Sequence, residues 1–166
     1  LPEPKRRAAA DPGDVTVEFE PSFVDLYREL QLPMVRLGCA LTGSETLAQD
    51  LVHDVFIRMH ARWDRIEHPR SYARAAVVNA CRSASRRAKR ERSVDVLFVV
   101  EDSTLQADEM FDALSALPYR QRAALVLQFY EGLPQSEIAE ILRCREGTVA
   151  SLVHRGLAQL RRVIER

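Results

Sequence analysis

From Phe23 onward the apolar positions recur at intervals of three and four: Phe23, Leu26, Tyr27, Leu30, Met34, Leu37 and Leu41. Each helical residue advances about 100°, so this spacing gathers them on one side of a helix. Pro33 falls inside the run and is expected to kink or interrupt it, because proline removes a backbone donor. Leu41-Thr42-Gly43 supplies a C-cap glycine, and Ser44 an N-cap for the next helix. That second helix, about Glu45 to Arg62, is expected to bury Leu47, Leu51, Val55 and Met59, flanked by Ala48, Val52 and Phe56. Asp50, His53, Asp54, Ile57 and Arg58 are left at the rim or outside. A short connection, WDRIEH, leads to a third helix that opens near Pro69.

The third helix has two unlike faces. Tyr72, Asn79, Arg82, Arg86 and Arg90 fall on one side, and Ala73, Val77, Ala80, Cys81, Ala84 and Ala88 on the other. The small apolar side suits close packing. The opposite side combines an aromatic ring, an amide and several cations, groups that stack on bases, pair with base edges and hold phosphates. A nucleic-acid surface is the leading expectation; the plain alternative is the solvated face of an amphipathic helix.

After Arg92 the period lapses. SVDVLFVVEDSTLQA carries an apolar patch, Val94 to Val100, among Asp95, Glu101 and Asp102, and reads as a linker whose Leu97 and Phe98 either tuck against a helix or bind something. The period resumes with Met110, Leu114 and Leu117, a short helix closed by Pro118, which can serve as the first residue of the next. That helix, Tyr119 to Glu131, carries Ala123, Ala124, Val126, Leu127 and Tyr130 until Gly132-Leu133-Pro134 breaks it. Ser136 is expected to cap EIAEILR, followed by a turn at Cys144 to Glu146 and a last helix from about Gly147 to Glu165. Ile138, Ala139, Leu142 and Val149 sit at the core spacing of a helix-turn-helix, with Ala139 small enough for a close crossing. A plain helical hairpin is the alternative.

On the last helix Val149, Val153, Gly156, Leu157 and Leu160 are expected to face inward, with Leu152 at a flank. Thr148, Ser151, Arg155 and Arg162 face outward, and His154 lies at the edge. In a helix-turn-helix the early outward residues reach base edges and later cations reach phosphates, which assigns Thr148, Ser151 and Arg155 to bases and Arg162 to the backbone.

Charge sharpens this picture only locally. Among 166 residues, 24 basic and 24 acidic side chains cancel, so affinity for nucleic acid must come from clusters. One such cluster is Arg82, Arg86, Arg87, Lys89, Arg90 and Arg92, opposed within that span by Glu91. A hydrophobic share of 46% is enough for real cores. Residues 1 to about 20, with their early prolines and a Pro-Gly turn, read as a mobile leader ordered only from Val15.

Several chemistries are not expected. Cys39, Cys81 and Cys144 are odd in number and lack a CxxC pair, which fits a reducing cytoplasm better than a disulfide framework. His53, His60 and His68 lack the partners of a usual metal spacing, so neither a metal nor another cofactor is expected. No run approaches the roughly 18–20 apolar residues of a membrane span, and no signal peptide is visible, so a soluble cytoplasmic protein is expected. No acid pair, nucleophile with base or glycine-rich phosphate loop stands out, which argues against an enzyme.

These blocks, in this order, resemble an extracytoplasmic-function (ECF) sigma factor, a dissociable promoter-recognition subunit of bacterial RNA polymerase. FVDLYRELQLPMVRLGCALTGSETLAQDLVHDVFIRMHARWDRI is similar to the opening of the family's region 2, and HPRSYARAAVVNACRSASRR to its basic DNA-reading helix. LSALPYRQRAALVLQFYEGLPQSEIAEILRCREGTVASLVHRGLAQLR is similar to its region 4. The resemblance spans nearly everything from Phe23 to Arg162.

The resemblance implies an all-α fold of two small helical domains joined by a linker, the second with a helix-turn-helix. A leader (1–21), a region 2 domain (22–91), a linker (92–107) and a region 4 domain (108–166) are expected. Asp50, His53, Asp54 and Ile57 would dock on the clamp of the largest subunit of core RNA polymerase. Asp64, Arg65 and His68, with Tyr72, Asn79, Arg82, Arg86 and Arg90, would capture the −10 element. Arg145, Thr148, Ser151, His154, Arg155 and Arg162 would bind the −35 element of promoter DNA as duplex. The linker would thread toward the RNA exit path, and an anti-sigma factor is an expected further partner.

The chain departs from the family in its recognition helix, with Arg145, Ala150 and Leu152 where relatives commonly have serine, lysine and arginine. Arg143 stands where the turn often has glycine. Weaker duplex binding, an unusual −35 sequence or reliance on a partner would follow. The competing reading is a stand-alone helix-turn-helix regulator that binds duplex DNA without polymerase.

Overall fold

The structure is a computed structural model that describes residues 21–92 and 109–164. The expected leader, the linker patch at Val94 to Val100 and the last-helix residue Glu165 lie outside the described residues. All regular structure among the described residues is helical. A first unit comprises α1 (Pro21–Thr42), α2 (Glu45–His60), a 3-10 turn (Trp63–Arg65) and α3 (Pro69–Arg92). A second comprises α4 (Glu109–Ser115), α5 (Tyr119–Leu125) continuing as a π-turn (Val126–Tyr130), α6 (Gln135–Leu142) and α7 (Glu146–Ile164).

Helix α1 runs through Pro33 without the expected interruption. The ring is exposed, while Leu30, Met34 and Leu37 around it are buried in the core shared with α2 and α3. That burial outweighs the hydrogen bond that proline cannot make. The helix ends as expected: Gly43 takes φ 82° and its N–H donates to Cys39 O at 2.9 Å. Ser44 is extended, and its Oγ accepts from Leu47 N–H at 3.2 Å, satisfying one orphan donor of α2.

The core face of α2 is turned relative to expectation. Ala48, Val52, Val55, Phe56 and Met59 are buried, Leu51 is half-buried, and Leu47 is exposed. Gly38 of α1 sets this rotation, because its missing side chain leaves room for Ala48. Ala48 turns inward and Leu47, about 100° away, turns out. At the open end of this unit Phe23 packs edge-on against Phe56, His60 and Trp63, at centroid distances of 6.3, 5.0 and 5.2 Å.

Helix α3 buries Ala73, Val77 and Cys81, with Ala80, Ala84 and Ala88 half-buried, as its small apolar face predicts. Val78 is also fully buried, which a three-helix unit alone does not explain. Its carbonyl accepts from the Tyr119 hydroxyl of the second unit, which packs on α3 at this point.

The second unit contains the expected helix-turn-helix: Ile138, Ala139, Leu142 and Val149 are all buried between α6 and α7. Its boundaries differ in detail. Pro118 caps α5 with extended ψ instead of forming its first helical residue. Pro134 occupies the N-cap of α6, so Ser136 lies inside the helix and does not cap it. The turn comes one residue early, around Arg143 in left-handed conformation (φ 51°, ψ 58°), and α7 opens at Glu146. Arg143 and Cys144 close it with N–H donations to Glu140 O (3.1 Å) and Ala139 O (2.9 Å).

After α5 the Glu131 N–H reaches Val126 O, five residues back, at 3.1 Å. This wider turn shifts the register, so Tyr130 is exposed with Phe129 instead of joining the core. Helix α7 is rotated as well. Gly156 lies against Leu125, where a Cβ would come within 2.9 Å of Leu125 Cδ1. The buried stripe becomes Val149, Leu152, Val153, Gly156 and Leu160, and Leu157 is exposed. Leu152, expected at a flank, is therefore a core residue.

Candidate nucleic-acid interface

Tyr72, Arg86 and Arg90 are exposed along one side of α3, with Asn79 and Arg82 half-buried among them. The side-chain N–H of Asn79 donates to Ala75 O at 2.9 Å, which orients the amide against its own helix. Asp64, Arg65 and His68 are exposed on the turn that precedes this face. That turn is held by Arg65 N–H to Arg62 O (2.9 Å) and Ile66 N–H to Trp63 O (3.1 Å). Trp63 and Ile66 are half-buried against the core and anchor it. Tyr72 N–H donates to His68 O at 3.0 Å, so the turn feeds directly into the first turn of α3. The expected single-strand face is thus gathered on one helix and the adjoining turn.

Arg82 marks the edge of that face. Its guanidinium is held below its ordinary value, first by partial burial and then by the like charges of Arg86, Arg120 and Arg143. Arg120 and Arg143 belong to the second unit, so cations from both units converge here. An arginine remains charged regardless.

The outer side of α2 presents Asp50, His53, Asp54 and Ile57, all exposed, as expected. Beside them runs a groove of about 540 Å³ lined in part by Tyr27, Leu32, Val35, Asp50 and His53. Leu32, 55% exposed, adds an apolar contact that the sequence reading did not single out. Its position between Gln31 and Pro33, off the buried stripe of α1, was the available signal.

On α7 and the turn before it, Arg145, Ser151, His154, Arg155 and Arg162 are exposed and Thr148 is half-buried. The Ser151 hydroxyl donates to Gly147 O at 2.9 Å, and Arg155 Nε to Ser151 O at 3.2 Å. These bonds lay both side chains along the helix surface. Ala150 is exposed on the same helix.

The seam between the units went unforeseen. The Tyr119 hydroxyl donates to Val78 O at 2.6 Å, and burial pushes the phenol's pKa up. Arg122 Nη1 donates to Leu41 O at 2.6 Å, and Nη2 to Ser115 O and Leu117 O at 2.9 and 3.1 Å. It thereby satisfies carbonyls at the ends of α1 and α4. Arg74 Nε pairs with Glu131 at 2.9 Å and Nη1 with Glu137 at 3.4 Å. None of these residues carried a signal in the sequence, since an arginine or tyrosine on a helix exterior is unremarkable until its cross-chain partner is known.

Among the described residues no group of three His, Cys, Asp or Glu side chains is placed to hold a metal ion. Cys81 is buried, and that burial pushes its thiol up to about 12, away from reactivity. No described helix is long and apolar enough to cross a membrane.

Comparison with known proteins accords with this geometry. Residues 26–91 match the model of sigma-70 region 2 and residues 107–160 that of sigma-70 region 4. The chain is 34% identical to the RNA polymerase sigma-E factor of Streptomyces antibioticus over 163 residues, covering 92% of this chain and 87% of the relative. It is 30% identical to the ECF RNA polymerase sigma factor SigM of Mycobacterium tuberculosis, covering 86% and 77% of the two chains. The fold is similar to that of the sigma factor RpoE from Bartonella quintana, solved with the anti-sigma factor NepR. That match has a TM-score of 0.71 at 21% identity, over 87% of this chain and 97% of the other. A second similar fold is CnrH, solved with the cytosolic domain of CnrY, at a TM-score of 0.64, 21% identity and coverages of 87% and 88%. With both regions present in order on one all-helical chain, the protein belongs to the ECF family of RNA polymerase sigma factors.

Proposed function

We propose that this chain binds core RNA polymerase, carries it to promoters and helps open them, and catalyses no reaction of its own. The observation that carries this reading is the coexistence on one chain of two different cationic, polar helical faces, each suited to a different form of DNA. One is a ring, an amide and cations along α3 (Tyr72, Asn79, Arg82, Arg86, Arg90), beside the turn bearing Asp64, Arg65 and His68. The other is the helix-turn-helix face of Arg145, Thr148, Ser151, His154, Arg155 and Arg162. The first suits an unstacked strand, where bases lie open to stacking and to pairing with an amide. The second suits duplex DNA, entered by the start of α7.

Asp50, His53, Asp54 and Ile57 form the polymerase-docking surface in this reading, an acidic rim around an apolar contact. The largest subunit's clamp is the intended partner. The work takes place in the cytoplasm, where polymerase and chromosome are found. An anti-sigma factor is a further partner by analogy with the solved proteins of this fold, RpoE with NepR and CnrH with CnrY.

A stand-alone regulator makes a different prediction. Fluorescence anisotropy of labelled promoter DNA with the full chain, with and without core polymerase, separates the two. A sigma factor shifts the anisotropy only when polymerase is present, whereas a regulator binds the duplex alone with the same affinity either way.

A further inference from the structure

Helix α5 and the turn between α6 and α7 bring two arginines to the edge of α3 where its own cations begin. The Tyr119 hydroxyl donates to Val78 O at 2.6 Å, which pins the first turn of α5 against α3. Arg120 follows directly, and its Nη2 donates to Leu142 O at 3.3 Å, at the C-terminal end of α6. Arg143 is the next residue along, in the left-handed turn. On α3, Arg82 stands one turn beyond Val78 and Arg86 one turn further. Four guanidiniums from three elements thus meet at one place, and the cations acting on Arg82 are Arg86, Arg120 and Arg143.

Among the described residues no carboxylate pairs with any of the four, although Arg28, Arg70 and Arg74 all make ion pairs. Glu140 and Glu146 line a groove with Arg143, yet neither lies within pairing distance of it. Arg120 Nε is buried with no hydrogen-bond partner, and an unsatisfied buried donor costs stability. Arg143 adds a second cost, because at φ 51° a side chain is strained where glycine is not. A ligand that brings acceptors and negative charge would offset both.

The class of that ligand follows from charge and depth. Arg82 and Arg120 are half-buried and Arg86 and Arg143 exposed, so the cluster has a sheltered pair and an open pair. The planar donors of a guanidinium match phosphate oxygens. A phosphate carries about two negative charges near neutral pH, so four cations suit two or three linked phosphates better than one. Sugars hold the successive phosphates of a nucleic-acid strand apart, whereas a polyphosphate concentrates its charge on one spot.

We propose that Arg82, Arg86, Arg120 and Arg143 form a binding site for a polyphosphate anion, either inorganic or the phosphate chain of a nucleotide. Arg82 and Arg86 also belong to the single-strand face of the proposed function, so a bound polyphosphate competes with nucleic acid at that edge. Binding itself does not depend on that reading and is measured without DNA or polymerase.

The test is isothermal titration calorimetry of the full chain at low salt with tripolyphosphate, ATP, AMP and sulfate in turn. Tripolyphosphate is expected to bind saturably and about tenfold or more tightly than sulfate, because it carries more charge into the same cluster. Comparable binding of ATP with weak binding of AMP assigns the site to nucleotide phosphate chains; binding of tripolyphosphate without ATP assigns it to the inorganic ion. Arg120→Gln/Arg143→Gly should lower tripolyphosphate affinity by about tenfold or more, as the loss of charge-assisted hydrogen bonds implies. Arg143→Gly alone, in which glycine takes the left-handed turn freely, should fold at least as stably as the wild type and bind several-fold more weakly. Arg58→Gln/Arg161→Gln removes the same charge from two exposed arginines that do not act on Arg82, and should leave the affinity nearly unchanged. No saturable binding, equal affinity for sulfate and tripolyphosphate, or equal losses in the two double variants would overturn the site. So would a loss of promoter-DNA affinity in Arg120→Gln/Arg143→Gly from a chain that binds no tripolyphosphate, which would make the cluster a contact to the DNA backbone.

Discussion

Gly38 of α1 and Ala48 of α2 cross so closely that a Cβ on the glycine would stand 2.9 Å from the alanine Cβ. In most helices Gly→Ala gains up to about 1 kcal/mol. Here the gain is opposed by overlap, and a larger residue must push α1 off α2. Gly38→Leu is expected to destabilise the protein by about 1–3 kcal/mol in urea unfolding, as overpacking does. Gly147, with nothing within 4 Å of its would-be Cβ, serves as the contrast. Gly147→Ala should be neutral or stabilising by up to about 1 kcal/mol. Equal effects at both sites would refute the close crossing.

Asn79 and Arg86 share a face of α3 but differ in surroundings: the amide is half-buried and hydrogen-bonded to Ala75 O, and the guanidinium is exposed. Asn79→Ala should reduce transcription most on promoters with the preferred base, since a lost base-edge contact is worth roughly 1–3 kcal/mol. Arg86→Ala should weaken binding on every sequence and lower the log–log salt slope by roughly 0.7–0.9 per lost phosphate contact. Equal losses on all promoter variants would contradict this division.

Asp50 and Asp54 project from the outside of α2, and replacing both with lysine should not disturb the fold. The double variant is expected to lose affinity for core polymerase by at least tenfold, with an unchanged circular dichroism spectrum. Retained affinity would move the docking surface elsewhere.

The recognition helix makes a two-sided prediction. Ala150 is exposed and Leu152 only 7% exposed. Ala150→Lys in the full chain should tighten duplex binding at low salt and steepen the salt slope by about 0.9, with little gain in sequence preference. Leu152→Arg buries a charge without a partner, and its expected result is a loss of several kcal/mol of stability in thermal unfolding. A folded, tighter-binding Leu152→Arg variant would mean that α7 is rotated from the orientation described.

The apolar period was enough to foresee the helices, the Gly43–Ser44 junction and the helix-turn-helix, because each depends on residues close in sequence. It foresaw the outward placement of Asp50, Asp54, Ile57, Arg86, Ser151 and Arg155 for the same reason. What it misjudged depends on how helices meet. The rotations that expose Leu47 and Leu157 and bury Leu152 follow from Gly38 against Ala48 and Gly156 against Leu125, pairs joined only in the fold. The exposed Tyr130 follows from a π-turn, a change of one residue in hydrogen-bond spacing with no signature in side-chain period. The seam of Arg74, Tyr119 and Arg122 is more distant still, linking residues tens of positions apart. The basic stripe on α3 was legible as a surface, but not that its Arg82 edge would meet cations of the second unit.

The most direct measurement is run-off transcription with purified core polymerase and this chain on a library of genomic fragments. A sigma factor of this family should produce discrete transcripts, absent without the chain, whose start sites share one upstream motif near −10 and another near −35. The Asn79→Ala protein should lose those transcripts selectively with changes in the −10 motif. No chain-dependent transcripts from any fragment, with polymerase shown active by another initiation factor, would contradict the assignment of promoter recognition to this protein.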